Sequence, residues 1–168
     1  MPEATGHVTA VDAGTFDLIL TRTFETPAAD LWASLTDPSR TAAWLGPWRG
    51  EPRVGETIEL QMAFEEGDAW SSVRIDHCDA PKRIAVTVLN ESGDWALGAR
   101  LDEGDGGTRL TFIHHLDDPA LAEYSGPGWE YYLDNLVAVR AGTPLPDFAD
   151  YYPAQADYFL GEIRRAQE

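Results

Sequence analysis

Between residues 57 and 116 the chain reads TIELQMAF, AWSSVRIDHC, KRIAVTVLN, DWALGARLD and TRLTFIHHL, strand-like runs separated only by short turn clusters. EEGD, DAPK, ESGD and EGDGG mark the reversals through their Gly, Asp and Pro content. Connections this short join antiparallel neighbours and leave no room for the helical crossovers of a parallel sheet. The middle of the chain is therefore an antiparallel meander. Ahead of it, FDLILTRTF alternates Phe16, Leu18, Leu20 and Phe24 with Asp17, Thr21 and Thr23, the period of a half-buried strand.

A sheet with one apolar face needs a cover, and GPGWEYYLDNLVAVRAG (126–142) supplies one. Ser125 and Pro127 at its start and Gly142 with Pro144 at its end frame a helix of about 15 residues, roughly 22 Å long. At 100° per residue Trp129, Tyr132, Leu133, Leu136, Val137 and Val139 fall on one arc, opposite Glu130, Asp134 and Asn135. The expected helix is one-sided, and the inner face of the meander is the large surface available to it.

Two smaller helices precede the meander. Thr26-Pro27 reads as a cap and first-turn proline, followed by Leu31, Trp32 and Leu35 on one face. Asp37-Pro38 repeats the device ahead of SRTAAWL, which Gly46 closes in the manner of a glycine cap. Trp32 and Trp44 either line an entrance or anchor these helices. Beyond residue 142 a proline-rich stretch leads to Ala156, Phe159, Leu160 and Ile163 on one helical face. This short helix packs back on its own domain or, alternatively, pairs two copies into a homodimer.

With 168 residues the chain is long enough for one domain with its own core. Its 29 acidic and 12 basic residues give a formal charge of -17, which repels nucleic-acid phosphates and anionic lipid surfaces. The single cysteine, Cys78, precludes an intrachain disulfide and fits a reducing cytoplasm. Neither a targeting segment nor a membrane-length apolar run is evident. No P-loop, GxGxxG, GxSxG or HExxH pattern occurs, so no cofactor and no metal is expected.

A strand, two capped helices, an antiparallel run and a long C-terminal helix make an α+β helix-grip arrangement. The expectation is a curved sheet of six or seven strands wrapped around the helix, over residues 15–142, between a flexible segment at 1–14 and an extension with a short helix at 143–168. The wording of the chain sharpens this. LILTRTFETPAADLWASLTDPSRTAAWLGPW strongly resembles the opening of the family related to the activator of heat-shock protein 90 ATPase. RVGETIEL, the proline turn in CDAPKRIAVTV, GGTRLTFIHHL and GWEYYLDNLVA are similar to its later segments, in order. The resemblance spans about Phe16 to Gly142 and places the chain in the START/SRPBCC superfamily of helix-grip proteins. It implies a cavity between the C-terminal helix and the sheet that holds a small apolar or amphiphilic molecule. It brings no universal catalytic set, and catalytic residues stay unassigned. The family name adds heat-shock protein 90 as a partner, against which stands the missing separate N-terminal domain of the eukaryotic co-chaperones.

The expected lining is Met62, Trp95, Leu97, Phe112, Trp129, Tyr132 and Leu136, an apolar surface with polar tips at Tyr132 and the indoles. Adjacent strand residues point to opposite faces, so His114 and His115 cannot chelate one ion. By parity His114 follows Leu110 and Phe112 toward the helix. It is a core histidine satisfied by a neighbour, a donor that orients a ligand, or the proton carrier of a cyclase- or hydratase-type enzyme. Arg22 shares the parity of Leu18, Leu20 and Phe24. It pairs with a carboxylate at a strand end or, facing inward, favours an anionic head group.

Overall fold

A computed structural model describes residues 2–65 and 67–168 of the protein. Met1, the first residue of the expected flexible segment, and Glu66, one residue of the EEGD turn, lie outside the described residues. The strands are β1 (His7–Asp12), β2 (Thr15–Phe24), β3 (Trp48–Arg49), β4 (Thr57–Gln61), β5 (Trp70–Asp79), β6 (Arg83–Leu89), β7 (Trp95–Gly104) and β8 (Gly107–Leu116). The α-helices are α1 (Ala28–Thr36), α2 (Pro38–Trp44), α3 (Ala122–Ala141) and α4 (Ala156–Ala166). The strands form one open antiparallel sheet in the order β1-β2-β8-β7-β6-β5-β4-β3. Eight strands, not six or seven, make the sheet. The two additional ones are β3, with two residues, and β1, whose HVTAVD buries only Val8 and so lacks an apolar stripe. No described helix is long and apolar enough to cross a membrane.

Packing divides the chain into a central unit, Arg22–Thr111, and a terminal unit, Met1–Thr21 with Phe112–Glu168. In the central unit the meander keeps its parity up to a register shift between Ile75 and His77 of β5. Ile58 stands opposite Val73, Val73 opposite Val88, and Val88 opposite Trp95, while Ile75, Val86 and Leu97 form the next row. Directly opposed residues share a face, so these rows build one apolar surface, with Thr57, Glu59, Arg74 and Thr87 on the other. Helix α1 starts without the expected Thr26 cap. The Thr26 hydroxyl donates to Asp30, and the Ala28 N–H is met at 2.6 Å by the carboxylate of Glu103, at the β7–β8 turn. The Asp37 cap of α2 holds, accepting from the Ser39 N–H at 2.9 Å. Gly46 serves a purpose other than a left-handed cap. The Leu45 carbonyl accepts from the Ala63 N–H at 3.1 Å, and a Cβ on Gly46 would overlap the Gln61 carbonyl oxygen.

In the terminal unit His7–Asp12, within the segment expected to be flexible, form strand β1. Strand β1 pairs with β2 in the register His7 to Ile19 and Val8 to Leu18. Helix α3 begins a turn earlier than its proline suggested and keeps Pro127 inside it. The start comes from Asp118-Pro119, where the aspartate accepts from the Ala120 N–H at 3.0 Å and a single 3-10 turn feeds α3. At the other end Gly142 adopts the left-handed conformation (φ 71°) and donates to the Val139 carbonyl at 3.3 Å, as a glycine cap should.

The one-sided reading of α3 is overturned. Glu130 and Asn135 are fully buried, whereas Val137 and Val139 are exposed. Helix α4 and the N-terminal segment cover the side read as polar, and they do so with polar chemistry. The Glu130 carboxylate accepts from the Thr5 N–H, from the Thr5 hydroxyl at 2.8 Å and from the Gly6 N–H at 3.0 Å. Glu162 of α4, also buried, accepts from the Val8 N–H at 3.3 Å and from Arg165 at 2.6 Å. The tail helix therefore packs on its own chain, with Phe159 at its fully buried centre.

Candidate functional site

The terminal unit brings five of the sequence-derived candidates together. Phe112 and His114 occupy the inward positions of β8; Trp129, Tyr132 and Leu136 follow one another along α3. The Trp129 ring lies 4.5 Å from that of Phe112 and 5.8 Å from that of Tyr132, both tilted, and meets His114 edge-on at 6.3 Å. Trp129, Tyr132 and Leu136 are buried, and Phe112 is half-buried. The result is an aromatic shelf of tilted rings whose centroids lie within the range at which aromatic pairs attract.

His114 is 1% exposed, and its Nδ1 accepts the indole N–H of Trp129 at 3.2 Å. A neutral imidazole accepting through Nδ1 carries its proton on Nε2. Burial, with a smaller contribution from His115, lowers the His114 pKa from 6.5 to about 4. The ring is therefore neutral near pH 7, and its arrangement suits a hydrogen-bond donor better than a proton shuttle. His115 points to the other face, half-exposed, and contacts Asp17 at 2.6 Å.

A folded-state pKa below the unfolded value penalises folding as the solution becomes acidic, because the unfolded chain takes up the proton first. This cost begins near pH 6.5 and grows until about pH 4. By pH 5 it amounts to about 2 kcal/mol for a shift of this size. Urea denaturation from pH 7.5 to 5 should show that fall, and His114→Leu should flatten it. An unchanged pH profile in the variant would show that His114 does not carry the effect.

The remaining candidates belong to the central unit. Trp95 and Leu97 sit on the apolar face of β7, opposite Val88 and Val86, and Met62 follows β4 with the parity of Ile58 and Leu60. All three are half-buried. They share that state with Ile58, Leu60, Ile84, Val86 and Val88, whereas Val73 and Ile75 between them are buried. Arg22 is half-buried near the end of β2, on the side of Leu20 and Phe24. Trp44 anchors α2, its indole N–H reaching the Ser34 carbonyl at 2.8 Å, and Trp32 is half-buried on α1. Among the described residues no cluster of three or more His, Cys, Asp and Glu is placed to hold a metal ion. The sequence reading missed Glu130 and Glu162. Their only signal was an acid among apolar neighbours, the same signal a solvated helix edge gives.

An eight-stranded antiparallel sheet with a long C-terminal helix and two short helices after its second strand defines an α+β protein of the helix-grip class. The chain belongs to the family described as activator of Hsp90 ATPase homolog 1-like protein, whose model matches residues 25–141, and with it to the START/SRPBCC superfamily. The crystal structure of CalU16 from Micromonospora echinospora shares the fold with a TM-score of 0.77 at 23% identity, over 96% of this chain and 97% of that one. DynU16, from the dynemicin biosynthetic locus, aligns with a TM-score of 0.67 at 20% identity, over 79% of this chain and 50% of its own. A protein of unknown function from Enterococcus faecalis, EF2215, aligns at 0.73 and 14% identity, over 97% and 92%. Likeness at these identities is a likeness of fold. Among curated proteins no relative matches.

Proposed function

We propose that the protein binds a small, largely apolar molecule. The observation that carries this reading is the apolar face of β4, β6 and β7. Its aliphatic and aromatic side chains, Trp95, Leu97 and Met62 among them, stay half-buried instead of fully packed. An ordered apolar surface left partly exposed in a row is poorly matched to water and is the surface a guest would complete. Within the terminal unit, considered by itself, Phe112, Trp129, Tyr132 and Leu136 are assigned as candidate ligand contacts, with His114 beside them as a polar candidate. Arg22 is assigned to an anionic or strongly polar end of the molecule. The cavity that the superfamily resemblance implies and the occurrence of DynU16 in a biosynthetic locus both favour small-molecule handling.

Native mass spectrometry with a panel of fatty acids and aromatic compounds tests the proposal. We expect a one-to-one adduct with at least one class, accompanied by a change in tryptophan fluorescence. Leu97→Glu should weaken that adduct at least tenfold, because the carboxylate would have to be desolvated against an apolar guest. If no panel member binds, or if Leu97→Glu binds as well as the parent, the assignment fails.

A further inference from the structure

A second aromatic cluster, outside the shelf, opens to solvent. Tyr124, in the first turn of α3, is 54% exposed, and Leu121 three residues before it is 40% exposed. Its ring meets Tyr152 at 5.1 Å and Phe148 at 6.3 Å, near-perpendicular to both, while Phe148 and Tyr152 lie almost parallel, 13° apart with centroids at 6.4 Å. Phe148 is backed by Tyr131, edge-on at 5.3 Å, and Tyr131 by Tyr151. The Tyr151 hydroxyl donates to Asp134 at 2.6 Å. The inner rings thus back Phe148, and the outer three form a corner.

The stretch of chain that carries this corner is one-sided in charge. From Asp117 to Phe159 the chain carries eight carboxylates (117, 118, 123, 130, 134, 147, 150 and 157) and a single cation, Arg140. Glu130 and Asp134 are engaged within the unit. Asp147, which caps the 3-10 turn of Phe148, and Asp150 within that turn are exposed, as are Asp117 and Asp118. Aromatic faces attract cations through their quadrupole, and neighbouring carboxylates strengthen that attraction. A planar guanidinium stacks on a ring more readily than an ammonium does and sheds its hydration more easily. The protein already uses this chemistry once, with Arg49 seated 4.0 Å above Trp70. A second copy of the chain is a poor occupant, since it brings the same formal charge of -17.

We infer that the Tyr124–Phe148–Tyr152 corner is a docking site for an arginine-bearing basic segment of a partner protein. The inference is independent of the small-molecule reading. Its test uses short blocked peptides that alternate glycine with arginine or with lysine at equal charge, titrated into the full chain by calorimetry. The arginine peptide should bind about fivefold more tightly than the lysine peptide, and Tyr124→Ala should remove the preference while Tyr124→Phe retains it. Tyr124 is exposed, so the variant should keep its fold. Equal binding of the two peptides, or a preference that survives Tyr124→Ala, would reduce the attraction to bulk charge and overturn the inference. Self-association in sedimentation that Tyr124→Ala abolishes would instead assign the corner to a second copy, which also overturns it.

Discussion

Gly46→Ala should lower the unfolding free energy by about 4 kcal/mol, at the severe end for a single methyl group. The reason is backbone, not conformation. Gly46 donates to the Thr41 carbonyl at 2.7 Å, and its neighbours fasten the chain to β4, the Leu45 carbonyl to the Ala63 N–H and the Pro47 carbonyl to the Gln61 N–H at 3.0 Å. A Cβ at residue 46 would overlap the Gln61 carbonyl oxygen. No rotamer can relieve an overlap with backbone, so the β4 side of the clasp must move. Met62, which follows Gln61 directly and is a candidate ligand contact, would move with it. Gly128→Ala is the control. It lies inside α3 with open space where the Cβ would stand, and alanine there should stabilise by about 0.5–1 kcal/mol. Chemical denaturation of the two variants should therefore shift in opposite directions. A near-neutral Gly46→Ala would mean that the connection after α2 is not closely packed on β4.

Much of this arrangement was legible because it rests on local rules. Period-two alternation placed β2 and the meander; Asp37-Pro38 and Gly142 marked helix ends by side-chain and left-handed caps that depend on a few neighbouring residues. The parity argument correctly separated His114 from His115, since strand geometry alone decides it. What failed depended on partners distant in sequence. Pro127 reads as a helix start in the sequence because the earlier signal, Asp118-Pro119, acts through an intervening 3-10 turn. Glu130 and Asn135 looked solvent-facing because a helical wheel allows one buried side, and here α4 and the N-terminal segment bury a second. The aromatic candidates could be named from composition and position. Sequence offered no means of seeing that Trp129 donates to His114, a contact 15 residues away.

Removing the Glu130 side chain should destabilise the protein by about 4 kcal/mol, comparable with breaking a buried charged network. Its carboxylate is the acceptor for two backbone N–H groups and one hydroxyl, of Thr5 and Gly6. Hydrogen bonds to a charged acceptor contribute roughly 1.5–3 kcal/mol each, and buried donors that lose theirs are costly. Nearby, Tyr158 donates to the Gly6 carbonyl at 2.9 Å and Glu162 receives the Val8 N–H, so residues 5–8 tie α3 to α4. Loss of Glu130 should release this segment first. Hydrogen exchange should then show the amides of Thr5 and Gly6 losing protection before those of the meander, whose ladders lie in the central unit. Glu130→Gln keeps one acceptor oxygen but turns an NH₂ toward groups that themselves donate, so it should recover only about half the loss. Because Glu130 adjoins Trp129 on α3, both variants should also redden tryptophan emission as the shelf loosens. Glu130→Ala unfolding within about 1 kcal/mol of the parent would mean that water replaces the carboxylate freely and that α3 is held by its apolar contacts alone.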